Sequence, residues 1–141
     1  MKQILDYFTE KKFERNHPIM EMAAVSCPED QLPDKTRICV FPENDEQGTK
    51  TPHFHIRIND TGKNTKAEFE IYINHIHELK IWRAKNKKYQ SWDGFANVKK
   101  AVLEWLDKKS YDFKELTNVE LIVRTWNVNN SSNRVDVEYT K

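Results

Sequence analysis

The stretch Pro52–Ile58, PHFHIRI, alternates strictly between apolar and polar side chains. A period of two is typical of a β-strand that turns one face toward a hydrophobic core. The alternation divides the stretch into an apolar face of Phe54, Ile56 and Ile58 and a polar face of His53, His55 and Arg57. The sequence therefore predicts a strand at 52–59 whose polar face carries two histidines side by side.

A second strand, at 67–73, follows after a polar turn at 60–65, so the two form an antiparallel hairpin. Its own alternation places Phe69, Ile71 and Ile73 on the apolar face. Residues that lie opposite each other in an antiparallel pair share a face of the sheet. We therefore expect His55 to lie opposite Glu70 or Tyr72, and Arg57 to lie opposite Glu68 or Glu70.

The remaining pattern predicts an α+β fold, a mainly antiparallel sheet with one face packed by three helices. The other strands are expected near 20–26, 37–41 and 78–84, and the helices near 3–15, 93–108 and 118–128. Ser91 or Asp93 is expected to cap the second helix. Thr117 and Glu120 have the spacing of a capping box at the start of the third.

Length and composition indicate one domain over residues 1–141, in which 130–141 can form a flexible tail. The chain is 38% hydrophobic and 32% charged, with a net charge of +1, so no overall field favours nucleic acid or a membrane. The N-terminus has no secretory signal pattern, and no apolar run approaches the roughly 20 residues of a membrane helix. We expect a cytoplasmic protein in which Cys27 and Cys39 are reduced, buried thiols.

Two H-x-H pairs are the first candidates for chemistry. Alternate residues of a strand project from one face about 7 Å apart, which allows two imidazoles to bind one metal ion. The candidate ligands of a divalent transition metal are His53, His55, His75, His77 and Glu70. The alternative is structural: His53 and His55 are half-buried and hydrogen-bonded across the hairpin. The loop with Glu43, Asp45 and Glu46 can attract a cation, although a solvated loop is the simpler interpretation.

A segment of alternating cations and aromatic rings at 80–92 is the second candidate. Such a mixture suits phosphates and bases, so it indicates contact with nucleic acid or a protein partner. The patch consists of Lys80, Trp82, Arg83, Lys85, Lys87, Lys88, Tyr89 and Trp92. In the alternative interpretation the tryptophans belong to the core and the lysines to a solvated loop.

The sequence has no G-x-S-x-G motif, and its three glycines form no phosphate-binding loop, so no catalytic residue is assigned. The leading hypothesis is a non-enzymatic cytoplasmic module that contacts protein or nucleic acid through 80–92, with no cofactor. The alternative is a metal-binding protein, in its most specific form a metal-dependent hydrolase, that uses the H-x-H pairs.

Residues 37–130 resemble small uncharacterised proteins of bacteria and mobile elements. The motif Pro-His-Phe-His-Ile-Arg at 52–57 is similar to that of a bacterial domain of unknown function whose members often occur in toxin–antitoxin-like gene pairs. The run LTNVELIVRTWNVNN at 116–130 resembles an L-T-N-W-E…W-N-x-N-N segment, in which Val119 replaces the tryptophan. The resemblance implies a fold and a gene context, and no reaction.

Overall fold

The structure is a computed structural model that describes residues 23–24, 32–43, 51–61, 63–111 and 113–141. The predicted helix at 3–15 and Cys27 lie outside these residues, as does most of the predicted strand at 20–26.

One antiparallel sheet runs through the described part of the chain, and its strands are neighbours in chain order. Each strand pairs antiparallel with the next one in the chain, which is the simplest antiparallel topology. The strands are β1 (Ala23–Ala24), β2 (Arg37–Val40), β3 (His53–Asp60), β4 (Thr65–Tyr72) and β5 (Ile81–Ala84).

The register of the β3–β4 hairpin agrees with the alternation of the sequence. His55 lies opposite Glu70, and Arg57 lies opposite Glu68. Both pairings were expected, and both are confirmed. On the other side of β3, Cys39 of β2 lies opposite His55, so β2 and β4 flank the histidine strand.

Two α-helices, α1 (Ala96–Leu106) and α2 (Asn118–Asn129), follow the sheet. Their buried side chains belong to the same apolar core as the inward face of the strands. The α+β class is therefore confirmed, with two of the three expected helices present in the described residues. The core residues shared between sheet and helices include Ile38, Val40, Phe54, Ile56, Phe69, Ile71, Val102, Leu106, Ile122 and Trp126.

The start of α1 differs from the expectation. Phe95 occupies the N-cap position without a side-chain cap, so the assignment of Ser91 or Asp93 as the cap was wrong. Gly94 has φ +87°, a left-handed conformation that interrupts any helix begun earlier. The Ser91 hydroxyl instead accepts a hydrogen bond from the Asp93 amide, 3.2 Å, within the preceding turn.

The start of α2 is the predicted capping box. The Thr117 hydroxyl accepts from the Glu120 amide at 3.2 Å, and the Glu120 carboxylate accepts from the Thr117 amide at 3.0 Å. These two bonds satisfy donors that a helix N-terminus otherwise leaves open, so they locate the first turn.

The strand predicted at 78–84 begins later, at Ile81. Residues Ile76–Glu78 form a short 3-10 turn instead. His75 and Leu79 bracket that turn with φ values of 53° and 46°, a left-handed backbone that departs from regular strand geometry. The second H-x-H pair therefore lies on a turn.

Residues 130–141, predicted as a tail, contain two 3-10 turns, Ser131–Asn133 and Val137–Thr140. The Trp126 indole donates to the Asn133 carbonyl at 2.7 Å, which joins α2 to the first turn. Among the described residues, no helix is long and apolar enough to cross a membrane.

Candidate metal centre

The two histidines of β3 are buried, although they lie on its polar face. Their residue exposures are 0% for His53 and 2% for His55, so the half-buried position considered from the sequence is too open. Two aromatic rings supply part of the cover: Phe41 packs edge-on against His55 at 4.6 Å, and Trp82 lies 4.6 Å from His53, centroid to centroid. A buried polar atom is unfavourable unless it has a hydrogen-bond partner, so each nitrogen of these two imidazole rings needs one.

The Nδ1 atom of each ring has such a partner. His53 Nδ1 donates to the Thr51 carbonyl at 2.7 Å, and His55 Nδ1 donates to Glu68 Oε2 at 2.8 Å. A carbonyl and an ionised carboxylate only accept, so the proton of each neutral ring lies on Nδ1. The lone pair of each neutral ring is consequently on Nε2. This is the arrangement in which proteins present histidine to a metal.

Both Nε2 atoms are buried, and neither has a hydrogen-bond partner of acceptable geometry within the described part of the chain. Glu43 Oε1 lies close to both, at 2.8 Å from His53 Nε2 and 3.6 Å from His55 Nε2. The 2.8 Å contact is short but lies off the hydrogen-bonding direction of the ring nitrogen. The two lone pairs and the carboxylate thus converge without bonding one another well.

The separations of these atoms fit the coordination shell of a small cation. Ligands at about 2.0–2.1 Å from a tetrahedral ion lie about 3.3 Å from one another. The ligand atoms of Glu43, His53 and His55 all lie within 4.8 Å of one another, and the two distances from Glu43 Oε1 to the Nε2 atoms, 2.8 and 3.6 Å, bracket the ideal value. Small side-chain adjustments would therefore bring two nitrogens and one oxygen into coordination.

Glu70 lies beside this trio. Its Oε1 is 3.4 Å from His53 Nε2 and 3.9 Å from His55 Nε2. Arg83 holds the same carboxylate with two nitrogens, Nε to Oε2 at 2.9 Å and Nη2 to Oε1 at 3.2 Å. Glu70 is thus already neutralised by an arginine.

The pKa values of the centre follow from this crowding. Burial raises the pKa of the Glu43 carboxyl, but the neighbouring imidazoles lower it more, and the net value lies well below the ordinary 4.5. Burial lowers the pKa of His55, while Glu43 and Glu68 raise it, and the net value lies above the ordinary 6.5. Burial likewise raises the pKa of Glu68, yet His55 and Arg57 bring it down to about 2. The lowered pKa values keep Glu43 and Glu68 ionised at neutral pH, the form in which a carboxylate can bind or support a metal ion.

The centre opens into a pocket of about 710 Å³, which is in the range of small-molecule sites. The described residues that line it are Phe41, Pro42, Glu43, His55, Arg57, Glu70, Arg83, Ala84 and Lys85. A ligand in this pocket would therefore lie beside the side chains of Glu43 and His55.

The other predicted metal ligands have partners elsewhere. His75 Nδ1 lies 2.8 Å from the Lys141 carbonyl oxygen, and His77 Nε2 lies 2.8 Å from Asp107 Oδ1. Both histidines are exposed. Of the five predicted ligands, the structure brings together His53, His55 and Glu70, and it leaves the second H-x-H pair on a separate turn.

The side chains of the basic–aromatic segment at 80–92 lie in several different environments. Its aromatic rings pack within the fold: Trp82 against His53, Trp92 against Phe69 at 4.9 Å, and Tyr89 against Phe95 at 5.3 Å. The Trp92 indole also donates to the Leu79 carbonyl at 2.8 Å.

The lysine and arginine side chains of the segment at 80–92 also lie in different environments. Arg83 and Lys85 form ion pairs with the glutamates of the hairpin and line the pocket. Lys80 lies 5.7 Å from the centre of the Tyr72 ring and Lys88 lies 5.6 Å from that of Tyr89, while Lys87 is exposed. Contact with nucleic acid or a protein partner through 80–92 stays a prediction.

Glu43 is the candidate ligand that the sequence did not assign, although its loop was noted for its acidic residues. The antiparallel register that pairs Cys39 with His55, extended past Val40, puts Glu43 opposite Thr51 and on the face of both histidines. The signal was therefore present in the register of β2 against β3, and not in the H-x-H motif itself.

Comparison of the chain with protein families, with curated proteins and with solved structures gave no significant match.

Proposed function

We propose that this chain is a metal-binding protein that holds one divalent transition-metal ion through Glu43, His53 and His55. The observation that carries the proposal is the pair of buried Nε2 atoms without hydrogen-bond partners, converging on a carboxylate oxygen. A buried polar atom without a partner is unfavourable by about 1–3 kcal/mol, and a cation between the three groups would remove that penalty.

The ligand set favours a borderline transition metal. Imidazole nitrogens suit zinc, iron, nickel and copper, whereas magnesium and calcium prefer shells made of oxygen. Two histidines and one carboxylate form the ligand set of one class of catalytic zinc site and of the iron(II) facial triad. Zinc is therefore the first ion to test.

Three protein ligands leave coordination positions for water or a substrate. In this chain such positions would face the pocket that His55 and Glu43 line. A metal-dependent hydrolytic reaction is the reaction class that this arrangement supports best, because a water bound there would be acidified and held beside Glu70.

Support also comes from the groups behind the ligands. Thr51 and Glu68 fix the ring orientation of the two histidines through their Nδ1 atoms. Such outer partners raise the basicity of a ligand and orient it, and they serve this purpose in most histidine–metal sites.

The test is calorimetric titration of zinc into protein stripped with a chelator. We expect one equivalent to bind. Glu43→Gln keeps the size of the side chain but removes its charge, so its affinity should fall at least about tenfold. Glu115→Gln, on an exposed residue outside the candidate ligand group, is the matched control and should bind zinc as the unmodified protein does.

Circular dichroism of each variant establishes that it is folded. Two outcomes would contradict the proposal: no zinc binding above the buffer control by the unmodified protein, or equal affinity of the folded Glu43→Gln variant.

A further inference from the structure

Three cations surround the pocket beside the proposed metal position. Arg57, Arg83 and Lys85 all line it, from β3, from β5 and from the residue directly after β5. Their side chains are partly open, with exposures of 26%, 53% and 52%. They can therefore reach both the hairpin glutamates and a molecule in the pocket.

Before a metal is added, the described residues at the pocket carry equal numbers of positive and negative charges. The cations are matched by three carboxylates, those of Glu43, Glu68 and Glu70. Glu68 pairs with Arg57 at 3.1 Å and with Lys85 at 3.4 Å, and Glu70 pairs with Arg83 at 2.9 Å. A divalent ion on the neutral histidines then leaves two positive charges in excess. Such an excess of positive charge at the pocket favours an anionic ligand.

The arginines keep donors for such an anion. The described contacts of Arg57 with Glu68 use Nε, and those of Arg83 with Glu70 use Nε and Nη2. A guanidinium has five N–H donors, so each side chain can bind a second oxyanion without releasing its glutamate. Rings hold both groups in place: Arg57 lies 5.1 Å from the centre of Phe41, and Arg83 lies 3.9 Å from that of Trp82.

From these contacts we infer that the pocket binds a small organic oxyanion, a phosphate or carboxylate group that coordinates the metal with one oxygen and contacts Arg57, Arg83 and Lys85 with the others. The inference rests on the proposed metal site and names the class of molecule that the site takes. A pocket of about 710 Å³ has room for the rest of such a molecule.

Lys85 allows the inference to be tested without disturbing the metal ligands. Its Nζ contacts Glu68, which Arg57 also holds, so Lys85→Gln leaves that glutamate paired. Lys87→Gln is the matched control, because Lys87 lies on the same segment, is exposed and is not among the described residues that line the pocket.

The experiment is calorimetric titration of zinc-loaded protein, dialysed free of excess zinc, with inorganic phosphate and, separately, with acetate. We expect at least one of the two anions to bind, and to bind metal-free protein at least about tenfold more weakly. Lys85→Gln, with its zinc content verified at one equivalent before the anion is added, should weaken anion binding about tenfold, the loss expected for one charge-assisted contact. Lys87→Gln should change neither the zinc content nor the anion binding.

Tighter binding of phosphate would identify phosphate compounds as the substrate class, and tighter binding of acetate would identify carboxylates. The inference is overturned if zinc-loaded protein binds neither anion, if metal-free protein binds them equally well, or if Lys85→Gln has no effect. In these cases zinc still binds and the metal site stands. Failure of zinc itself to bind overturns both proposals.

Discussion

Glu43 follows the end of β2, yet its Oε1 atom lies 2.8 Å from Nε2 of His53, a residue ten positions later on the neighbouring strand. The contact exists because β2 and β3 run antiparallel with Cys39 opposite His55. One strand therefore supplies two imidazoles, and the chain just past the adjacent strand supplies the carboxylate. A strand holds side chains more rigidly than a loop does, so the two imidazoles are held in a fixed relation to each other.

Replacing Glu68 with glutamine should weaken zinc binding although Glu68 is not a ligand. His55 Nδ1 donates to this carboxylate at 2.8 Å, and the negative charge makes Nε2 a stronger donor to the metal. We expect a loss of about 10- to 100-fold in zinc affinity, measured by competition with a chelating dye. Glu115→Gln is the control, and an unchanged affinity of folded Glu68→Gln would show that the carboxylate does not support a ligand.

Metal-free protein should lose stability in acid partly through the same residue. The pKa of Glu68 is lowered from 4.5 to about 2 in the folded protein, so the folded state favours the ionised form. Its contribution is present above pH 4.5, and it is lost as the pH falls from about 4.5 toward 2. That contribution is roughly 2 kcal/mol, and Glu68→Gln should remove it. Urea unfolding in chelator at pH 6 and pH 3 measures the difference, and an equal acid loss in both proteins would contradict the assignment.

The thiol of Cys39 should be unreactive in the folded protein. Burial raises its pKa to about 11, against a smaller opposing effect of Arg57, so almost none of it is thiolate at pH 8. In a Cys27→Ser variant, which leaves one cysteine, we expect a disulfide reagent to react about a hundredfold more slowly than with the unfolded chain. Comparable rates with and without denaturant would show that Cys39 is accessible and ionised.

The capping box should contribute measurably to stability. Thr117→Ala removes the hydroxyl that accepts from the Glu120 amide, and we expect the free energy of unfolding to fall by about 1 kcal/mol. Thr117→Ser retains the hydroxyl, so its free energy of unfolding should fall by only a few tenths of about 1 kcal/mol. Chemical denaturation of the three proteins measures both changes, and equal losses in the two variants would rule out the cap as the cause.

Much of the fold was predictable from local patterns. Alternation in Pro52–Ile58 and at 67–73 fixed which side chains share a face, because a shift of one residue would expose the apolar side. The capping box located the start of α2 for a similar reason, since its two bonds depend on local spacing alone. The start of α1 was misplaced because a left-handed Gly94 stands between the polar residues and the helix.

The site was predictable only in part. The sequence identified His53, His55 and Glu70, which one hairpin brings together. It could not distinguish a strand from a turn around His75, because the left-handed backbone there is carried by a histidine and a leucine and not by glycine. Glu43 was missed because its position depends on the pairing between two strands that a long polar loop separates in sequence.

The most direct test of the account is anomalous diffraction from crystals grown with zinc, recorded above and below the zinc absorption edge. We expect one strong anomalous peak about 2.0–2.2 Å from His53 Nε2, His55 Nε2 and a carboxylate oxygen of Glu43. A peak at His75 or His77 instead, or no peak between β3 and Glu43 in crystals that hold zinc elsewhere, would contradict it.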